Sequence, residues 1–178
     1  MKSETRVIIP GRLSYLNVWE PKSFNGNKAK YSVSIIIPKT DKVTVNRVQK
    51  AIEEAKKKGL PKFGGTLPRN LNTPLRDGDI DRPDDPSYKG CYFVNASGYE
   101  QPKVVDRKRQ EILDRSEVYS GCYGNVSVNM YAYNTNGNKG ISAGLGNIQK
   151  VDDGEPLGGI FRPEDDFEVL DDDDDFLD

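Results

Sequence analysis

The segment at residues 123–133 (YGNVSVNMYAY) constrains the fold more than any other part of the chain, because its side chains alternate in character. One side of the extended backbone is apolar and carries Val126, Val128, Met130 and Ala132. The opposite side carries Tyr123, Asn125, Ser127, Asn129, Tyr131 and Tyr133. Alternation with a period of two predicts a half-buried strand, and the turn residues at 134–138 (NTNGN) predict a hairpin.

Other short segments have the same strand character, and one segment is helical. Residues 5–19 and 29–37 are rich in β-branched residues and are separated by a loop with turn residues. Thr40 or Asp41 can cap a helix whose apolar residues recur at steps of three and four: Val45, Val48, Ile52 and Ala55. Gly59 ends this helix. Short strands, turn signals and one helix predict a mainly β protein, a small Greek-key barrel with long irregular loops.

The formal net charge of −2 conceals two segments of opposite sign. Residues 1–150 hold 25 Lys and Arg against 15 Asp and Glu, whereas residues 151–178 hold one Arg against 13 acids, so the net charges are +10 and −12. We interpret residues 1–150 as the folded domain, residues 151–163 as a linker and residues 164–178 as a disordered acidic tail, because like charges repel and few apolar residues remain there. A basic body indicates nucleic acid as a partner.

The composition argues against the commonest catalytic and metal-binding chemistries. The chain has no histidine, and its two cysteines, Cys91 and Cys122, stand in unrelated segments without metal-ligand spacing. Both are expected to be reduced. The sequence has neither a phosphate-binding loop nor a nucleophile elbow. We therefore predict a protein that is not an enzyme and that needs no metal, cofactor or small-molecule substrate.

An acidic stretch at residues 76–85 (RDGDIDRPDD) offers an alternative to this view. Its Asp-x-Asp-x-Asp spacing, which begins at Asp77, resembles the start of a calcium-binding loop. Arg82 stands where that loop needs glycine, however, and Tyr88 stands where it needs glutamate. We interpret the stretch as a network of capped turns.

The sequence predicts no association with a membrane. Its apolar runs fall short of the roughly 18 residues that a membrane-spanning helix needs. The first nine residues lack the apolar stretch of a signal peptide. We therefore expect a cytoplasmic protein.

Basic residues are interleaved with aromatic residues along the body, a pattern typical of a groove for single-stranded nucleic acid, where cations neutralise phosphates and rings stack on bases. The predicted stacking residues are Tyr15, Trp19, Phe24, Tyr31, Tyr88, Tyr92, Phe93, Tyr99, Tyr123, Tyr131 and Tyr133. The predicted phosphate-binding residues are Lys22, Lys28, Lys30, Arg82, Lys89, Lys103, Arg107, Lys108 and Arg109. The tyrosine side of the 123–133 strand also fits cross-strand packing, and the strand alone leaves both interpretations open.

The acidic tail predicts two separable activities. Because it is tethered to the basic body, it would compete with DNA for a cationic groove at high effective concentration. Its apolar tip would give replication or recombination proteins a surface to bury once DNA had displaced the tail. The tail residues assigned to partner binding are Asp171, Asp172, Asp173, Asp174, Asp175, Phe176, Leu177 and Asp178.

The chain resembles a family of small phage and prophage proteins that are assigned as OB-fold single-stranded DNA-binding proteins. The segments that carry the resemblance are Leu13-Ser14-Tyr15, Trp19-Glu20-Pro21, 30–39 (KYSVSIIIPK), 74–79 (PLRDGD), 92–96 (YFVNA), 118–134 and 140–150, followed by Asp153-Gly154-Glu155. The resemblance implies a five-stranded OB-type barrel, sequence-independent binding of single strands, and a role in phage replication, recombination or repair inside the bacterial host. The tail also resembles the tails of other replication single-strand binders, which recruit replication proteins.

Two other classes of protein fit parts of the sequence. One is an interaction protein, such as an acidic DNA mimic or an assembly factor, whose tail is the active part. Salt-sensitive binding to single strands separates it from the leading prediction, because a mimic would bind DNA-binding proteins instead. The other is a carboxylate-dependent nuclease, which would cleave DNA only when metal is present.

Overall fold

A computed structural model describes residues 4–23, 26–157 and 170 of the chain. Within those residues the chain is mainly β, with one long helix. In chain order, the elements are β1 (Arg6–Lys22), β2 (Lys30–Pro38), α1 (Lys42–Gly59), β3 (Leu75–Asp77), α2 (Gly78–Asp81), β4 (Cys91–Gly98), β5 (Val104–Val105), β6 (Tyr123–Thr135) and β7 (Asn138–Asp152). Three short 3-10 turns lie in the described loops, at Leu60–Phe63, Pro86–Tyr88 and Arg115–Glu117.

Five of the described strands close into a barrel. β1 pairs antiparallel with both β2 and β6, β2 pairs with β4, and β6 pairs with β7. β4 and β7 then run parallel, with Ala96 beside Ala143 and Ser97 beside Gly144, which completes the circle. The short strands β3 and β5 extend the sheet beside β4 and β7. The mainly β, OB-type barrel that the sequence predicts is therefore confirmed.

The β6–β7 hairpin has the predicted two-sided character. Val126, Val128, Met130 and Ala132 are buried in the core of the barrel, so the tyrosine, asparagine and serine side chains of β6 lie on its outer surface. The turn between the strands places Asn136 and Gly137 in the left-handed region, with φ angles of 52° and 85°. Those angles suit a two-residue hairpin, because the backbone twist of such a turn matches the twist of the strands.

The helix α1 packs on the barrel, mainly against β6, through the predicted apolar stripe of Val45, Val48, Ile52 and Ala55, to which the structure adds Ala51. Asp41 caps its first turn, where the carboxylate accepts a hydrogen bond from the Thr44 amide at 3.2 Å. Gly59 ends the helix directly against Ala132, and a Cβ at this position would collide with that side chain. The predicted helix, its cap and its end are thus confirmed.

The acidic stretch that follows β3 is a network of capped turns, as predicted. Asp77 accepts a hydrogen bond from the Asp79 amide at 2.9 Å, and Asp79 accepts one from the Gly90 amide at 2.9 Å. Lys39 lies 2.8 Å from a carboxylate oxygen of each aspartate. These contacts hold the 78–90 loop against the start of β4. Among the described residues, no group of three or more acids or cysteines is arranged to hold a metal ion.

The remaining expectations concern the two cysteines, membrane-spanning helices and the acidic tail. Cys91 and Cys122 are both free, and Cys122 is buried. None of the described helices is long and apolar enough to cross a membrane. Residues 158–169 and 171–178, which include nearly all of the predicted tail, lie outside the described residues.

Candidate nucleic-acid interface

The outer surface of β1, β2 and β4 forms a shallow groove with a small polar floor. On β2, Val33 and Ile35 point into the core, so Ser32 and Ser34 point outward. The register sets Ser14 of β1 and Asn95 of β4 on either side of Ser34. We call this surface the groove; it encloses about 390 Å³ and is lined by Tyr15, Asn17, Lys22, Ser32, Val33, Ser34, Arg82 and Asn95.

Tyr15 stands at the edge of the groove because β1 is irregular there. The pairing of β1 with β2 shifts register between Ser14 and Asn17, and Tyr15 within this bulge has a φ angle of +46°. This left-handed conformation is uncommon for a residue other than glycine. The Tyr15 ring lies 6.5 Å from the Tyr88 ring, between ring centres, and 55% of the residue is exposed. Backbone strain of this kind occurs often at binding sites.

Arg82 lines the groove beside Tyr15 and lies against three aromatic rings. Its guanidinium carbon is 4.7 Å from the centre of the Tyr15 ring, 4.9 Å from that of Tyr88 and 5.0 Å from that of Phe93. These distances are in the range of cation–π contacts. The rings therefore fix the position of the guanidinium plane at the mouth of the groove.

The prediction that Tyr88 and Phe93 stack on bases is wrong. Tyr88 is 0% exposed and Phe93 is 3% exposed, because the 78–90 loop folds over the outer surface of β2 and β4 and covers both rings. The Tyr88 hydroxyl donates a hydrogen bond to Ser34 Oγ at 2.8 Å, and burial raises the pKa of this phenol. These two buried rings contact the Arg82 guanidinium and so help to position it.

The groove continues beyond Asn95 into a second hollow of about 210 Å³. Its lining brings together the loop before β3, β3 itself and the β6–β7 hairpin: Asn72, Thr73, Pro74, Arg76, Asn95, Tyr133, Ile141 and Ser142. Arg76 lies 3.8 Å from the Asp81 carboxylate and is half exposed. Tyr133, which the sequence predicted as a stacking residue, lines this second hollow. The sequence did not predict Asn72, Arg76 and Asn95 as site residues.

The β1–β2 hairpin projects past the barrel and carries further basic and aromatic residues. Lys22 pairs with Lys30 at the end of β1. The ammonium groups of Lys28 and Lys30 lie 4.8 and 5.0 Å from the centre of the Tyr99 ring. Tyr31 is half-buried opposite Gly98. Phe24, also predicted to stack on bases, lies outside the described residues.

Other predicted residues do not line the groove. Trp19 and Tyr92 are half-buried against the core, and the Trp19 indole Nε1 donates to the Val118 carbonyl at 3.3 Å. Neither ring is among the residues that line the groove, and the prediction that they stack on bases stays a prediction. Tyr123 is exposed on β6, where Arg12 lies 5.8 Å from its ring centre. Lys89 is exposed beyond the Pro86–Tyr88 turn.

The predicted basic segment at residues 103–109 lies at β5, apart from the groove. Arg107 donates a hydrogen bond to the Val151 carbonyl at 3.2 Å. It lines a separate hollow of about 480 Å³ together with a set of acids: Asp106, Glu111, Glu117, Asp152 and Asp153. Arg109 has a left-handed φ of 65° in the neighbouring turn. The acids reduce the positive potential of this region, so its pull on a phosphate is weaker than the sequence suggests.

The fold agrees with the comparisons to known proteins. The family model described as the ssDNA-binding protein of Enterobacter phage Enc34 matches residues 5–177. The chain belongs to this family. The resemblance to phage single-stranded DNA-binding proteins that the sequence showed is therefore confirmed.

Three relatives show how far the similarity extends. The chain is 33% identical over 156 residues to putative protein p50 of Acyrthosiphon pisum secondary endosymbiont phage 1, which covers 83% of each protein. It superposes on the single-stranded DNA-binding protein of bacteriophage Enc34, solved in complex with ssDNA, with a TM-score of 0.78 and 26% identity, over 88% of this chain and 91% of that one. The single-stranded DNA-binding protein gp2.5 of bacteriophage T7 shares the fold, with a TM-score of 0.59 and 18% identity over 92% and 96% of the two chains.

Proposed function

We propose that this protein binds single-stranded DNA in the groove without sequence preference. The proposal rests on the contact between Tyr15 and Arg82. This contact lies beside a groove floor that is built from serine and asparagine. A ring and a guanidinium plane offer stacking surfaces to any base. The relative from bacteriophage Enc34 was solved in complex with ssDNA, which supports single-stranded DNA as the ligand of this protein too.

The chemistry of the floor fits a tolerant site. The hydroxyl group of Ser32 and the amide groups of Asn17 and Asn95 can each donate or accept a hydrogen bond, so they accommodate the edge of any base. The cations stand at the rim, where Lys22 and Arg82 flank one end and Arg76 the other. Bases would therefore lie over the polar floor while phosphates face the rim.

The biological role follows from the same interaction. Coating of single strands during phage DNA replication, recombination or repair in the host cytoplasm requires binding that ignores sequence. In this role the acidic tail competes with DNA for the groove at low salt, and its Phe176-Leu177 tip recruits partner proteins when DNA displaces it. The opposite charges of the body and the tail support this regulation.

The test is a fluorescence titration of the full chain with a labelled unstructured oligonucleotide and with a matched duplex, at several salt concentrations. We expect tighter binding to the single strand and an affinity that falls with salt, with a slope near −0.7 per neutralised phosphate. Replacing Lys22 and Arg82 by glutamine should lower the magnitude of that slope by about 1.4, since two phosphate contacts are lost.

A matched control removes two charges elsewhere. Lys103→Gln with Arg107→Gln changes the net charge equally but alters the hollow beside β5. The proposal predicts a smaller effect of this pair on both affinity and slope. Equal effects of the two pairs would mean that net charge, not the groove, governs binding. A failure of the full chain and of the tail-truncated chain to bind single strands would favour an interaction protein acting through its tail.

A further inference from the structure

The small polar floor of the groove continues around the barrel past β4. Ser34 pairs with Asn95 across β2 and β4. Because Ala96 lies beside Ala143 in the parallel pair, Asn95 lies level with Ser142 of β7, and both line one hollow. Ser142 in turn pairs with Tyr131 of β6. One row of outward-facing residues therefore crosses from the groove to Tyr131.

A second row runs beside the first. Ser32 pairs with Ser97, Ser97 lies beside Gly144, and Gly144 pairs with Asn129. Like the first row, it consists of serine, asparagine and glycine up to β6. The two rows span four strands, β2, β4, β7 and β6, which is a distance of roughly 14 Å at about 4.8 Å between neighbouring strands. The floor thus forms one track that starts in the groove and ends on β6.

A larger hollow lies where this track ends. It encloses about 810 Å³, and we call it the Tyr131 hollow. Its polar and basic lining consists of Thr5, Arg6, Lys58, Lys62, Ser127, Asn129, Tyr131, Gly144 and Gly146. The Tyr131 ring packs beside Gly144, where a Cβ would be 3.4 Å from the ring, an ordinary contact distance. Tyr131 is 42% exposed, so its ring is accessible at this end of the track.

Three separate elements bring cations to the Tyr131 hollow. Arg6 comes from the start of β1, Lys58 from the last turn of α1, and Lys62 from the turn that follows. Lysine in the last turn of a helix also offsets the helix dipole, which explains Lys58 in part. The dipole does not explain Arg6, which belongs to a strand. Convergence of these residues beside an exposed tyrosine gives the two chemistries that a single strand requires.

We infer that single-stranded DNA bound in the groove continues along this track and enters the Tyr131 hollow. A base stacks there on Tyr131, while Arg6, Lys58 and Lys62 hold the adjacent phosphates. This inference rests on the proposed function and extends its footprint. A short oligonucleotide occupies the groove alone, whereas a longer one occupies the groove and the hollow together.

The test compares two oligonucleotides within the range of about 4–16 nucleotides that OB folds occupy, one of about 5 and one of about 12. The variant carries Tyr131→Thr, Lys58→Gln and Lys62→Gln, and threonine is chosen because it suits a strand. We expect the ratio of variant to wild-type affinity to fall about tenfold or more for the longer strand. The same ratio should stay near one for the shorter strand.

Two controls isolate the hollow. Lys42→Gln with Lys50→Gln removes two charges from exposed positions on the same helix and should leave both ratios near one. Tyr131→Phe retains the stacking surface and should bind the longer strand like the wild type. Thermal unfolding of every variant confirms that the barrel is intact.

The possible outcomes are distinct. Equal losses for both lengths would place Tyr131 within the primary site and overturn the inference, as would no loss for either length. If the wild-type chain bound neither oligonucleotide, the proposed function itself would fail. A loss restricted to the longer strand is the result that supports a two-part path.

Discussion

The guanidinium carbon of Arg82 lies 4.7 Å from the centre of the Tyr15 ring, although the two residues come from distant parts of the chain. Tyr15 belongs to the bulge of β1, and Arg82 belongs to the loop that covers β2 and β4. Since Tyr88 and Phe93 contact the same guanidinium, its position is set by buried rings. The contact joins β1 to the 78–90 loop at one side of the groove.

Arg82→Lys should weaken binding to single strands even though it retains the positive charge. Lysine lacks the planar guanidinium that stacks on rings. A cation–π contact contributes roughly 0.5–2 kcal/mol, so the affinity should fall several-fold in a fluorescence titration. The salt slope should change little, and Arg47→Lys on α1 should have no effect. Wild-type affinity of Arg82→Lys would show that charge alone matters at this position.

Tyr88→Phe should destabilise the protein without changing the shape of the groove. The variant loses the 2.8 Å hydrogen bond to Ser34 Oγ, and Ser34 is itself buried. Loss of such a bond costs about 1–3 kcal/mol when its partner is left unsatisfied. Urea unfolding measures this cost, with Tyr99→Phe at an exposed position as the control. If both variants unfolded at the wild-type midpoint, the buried hydroxyl would contribute nothing to stability.

Stability should fall in acid partly because of Asp79. Its hydrogen bonds with Lys39 and the Gly90 amide hold the pKa of this carboxyl below its usual value. A carboxyl with a lowered pKa in the folded state contributes stability above its unfolded pKa of about 3.9, and this contribution is lost as pH falls through the folded value. The difference in urea midpoint between wild type and Asp79→Asn should therefore be largest above about pH 5 and should become smaller below about pH 4.

The control for this pH dependence is Asp84→Asn, which removes one carboxylate from an exposed position in the same loop. Its midpoint should follow that of the wild type at every pH. High salt should reduce the effect of Asp79→Asn, because the ion pair with Lys39 is solvent-exposed. A constant difference between wild type and Asp79→Asn from pH 2 to pH 7 would contradict the assignment.

Removal of residues 164–178 should tighten binding to single strands at low salt. The deletion removes a tethered anion that competes for the groove, and the gain should shrink as salt screens that competition. Phe176→Ser with Leu177→Ser retains all the acids, so this variant should bind DNA like the full chain while losing its protein partners. Unchanged affinity of the truncated chain at low salt would remove the competition from the proposed function.

Local patterns in the sequence predict much of the fold. The alternation in β6 and the stripe of α1 depend on neighbours within the same element, so the sequence contains the information directly. The pairing of β4 with β7 is different, because it joins residues that no local pattern relates. Closure of the barrel followed from the family resemblance, and the structure supplies the register.

The candidate site was less predictable for the same reason. Phe93 occupies an outward-facing position of β4, which alternation alone would leave exposed, but Tyr88 of the 78–90 loop packs on its ring and Leu157 packs on the same cluster. The basic residues at 103–109, which follow Tyr99, and the lysines around Phe24 and Tyr31 look equivalent in the sequence. The structure places Arg107 of the first set beside acids and Lys22 of the second set beside the groove. Asn95 and Arg76 were missed because neither stands out by residue type.

The parallel contact between β4 and β7 is the shortest of the interfaces that close the described barrel, with two residue pairs against twelve between β6 and β7. Local opening costs least where the fewest hydrogen bonds break, so this contact should open first. A nucleic acid that lies across both strands would lose contacts at each such opening, and by mass action it makes the opening rarer. Amide exchange at Ala96 and Ala143 should then be slower in the complex than in the free protein. Such slowing would show that the ligand stabilises the β4–β7 contact, the part of its binding surface that opens most easily in the free protein.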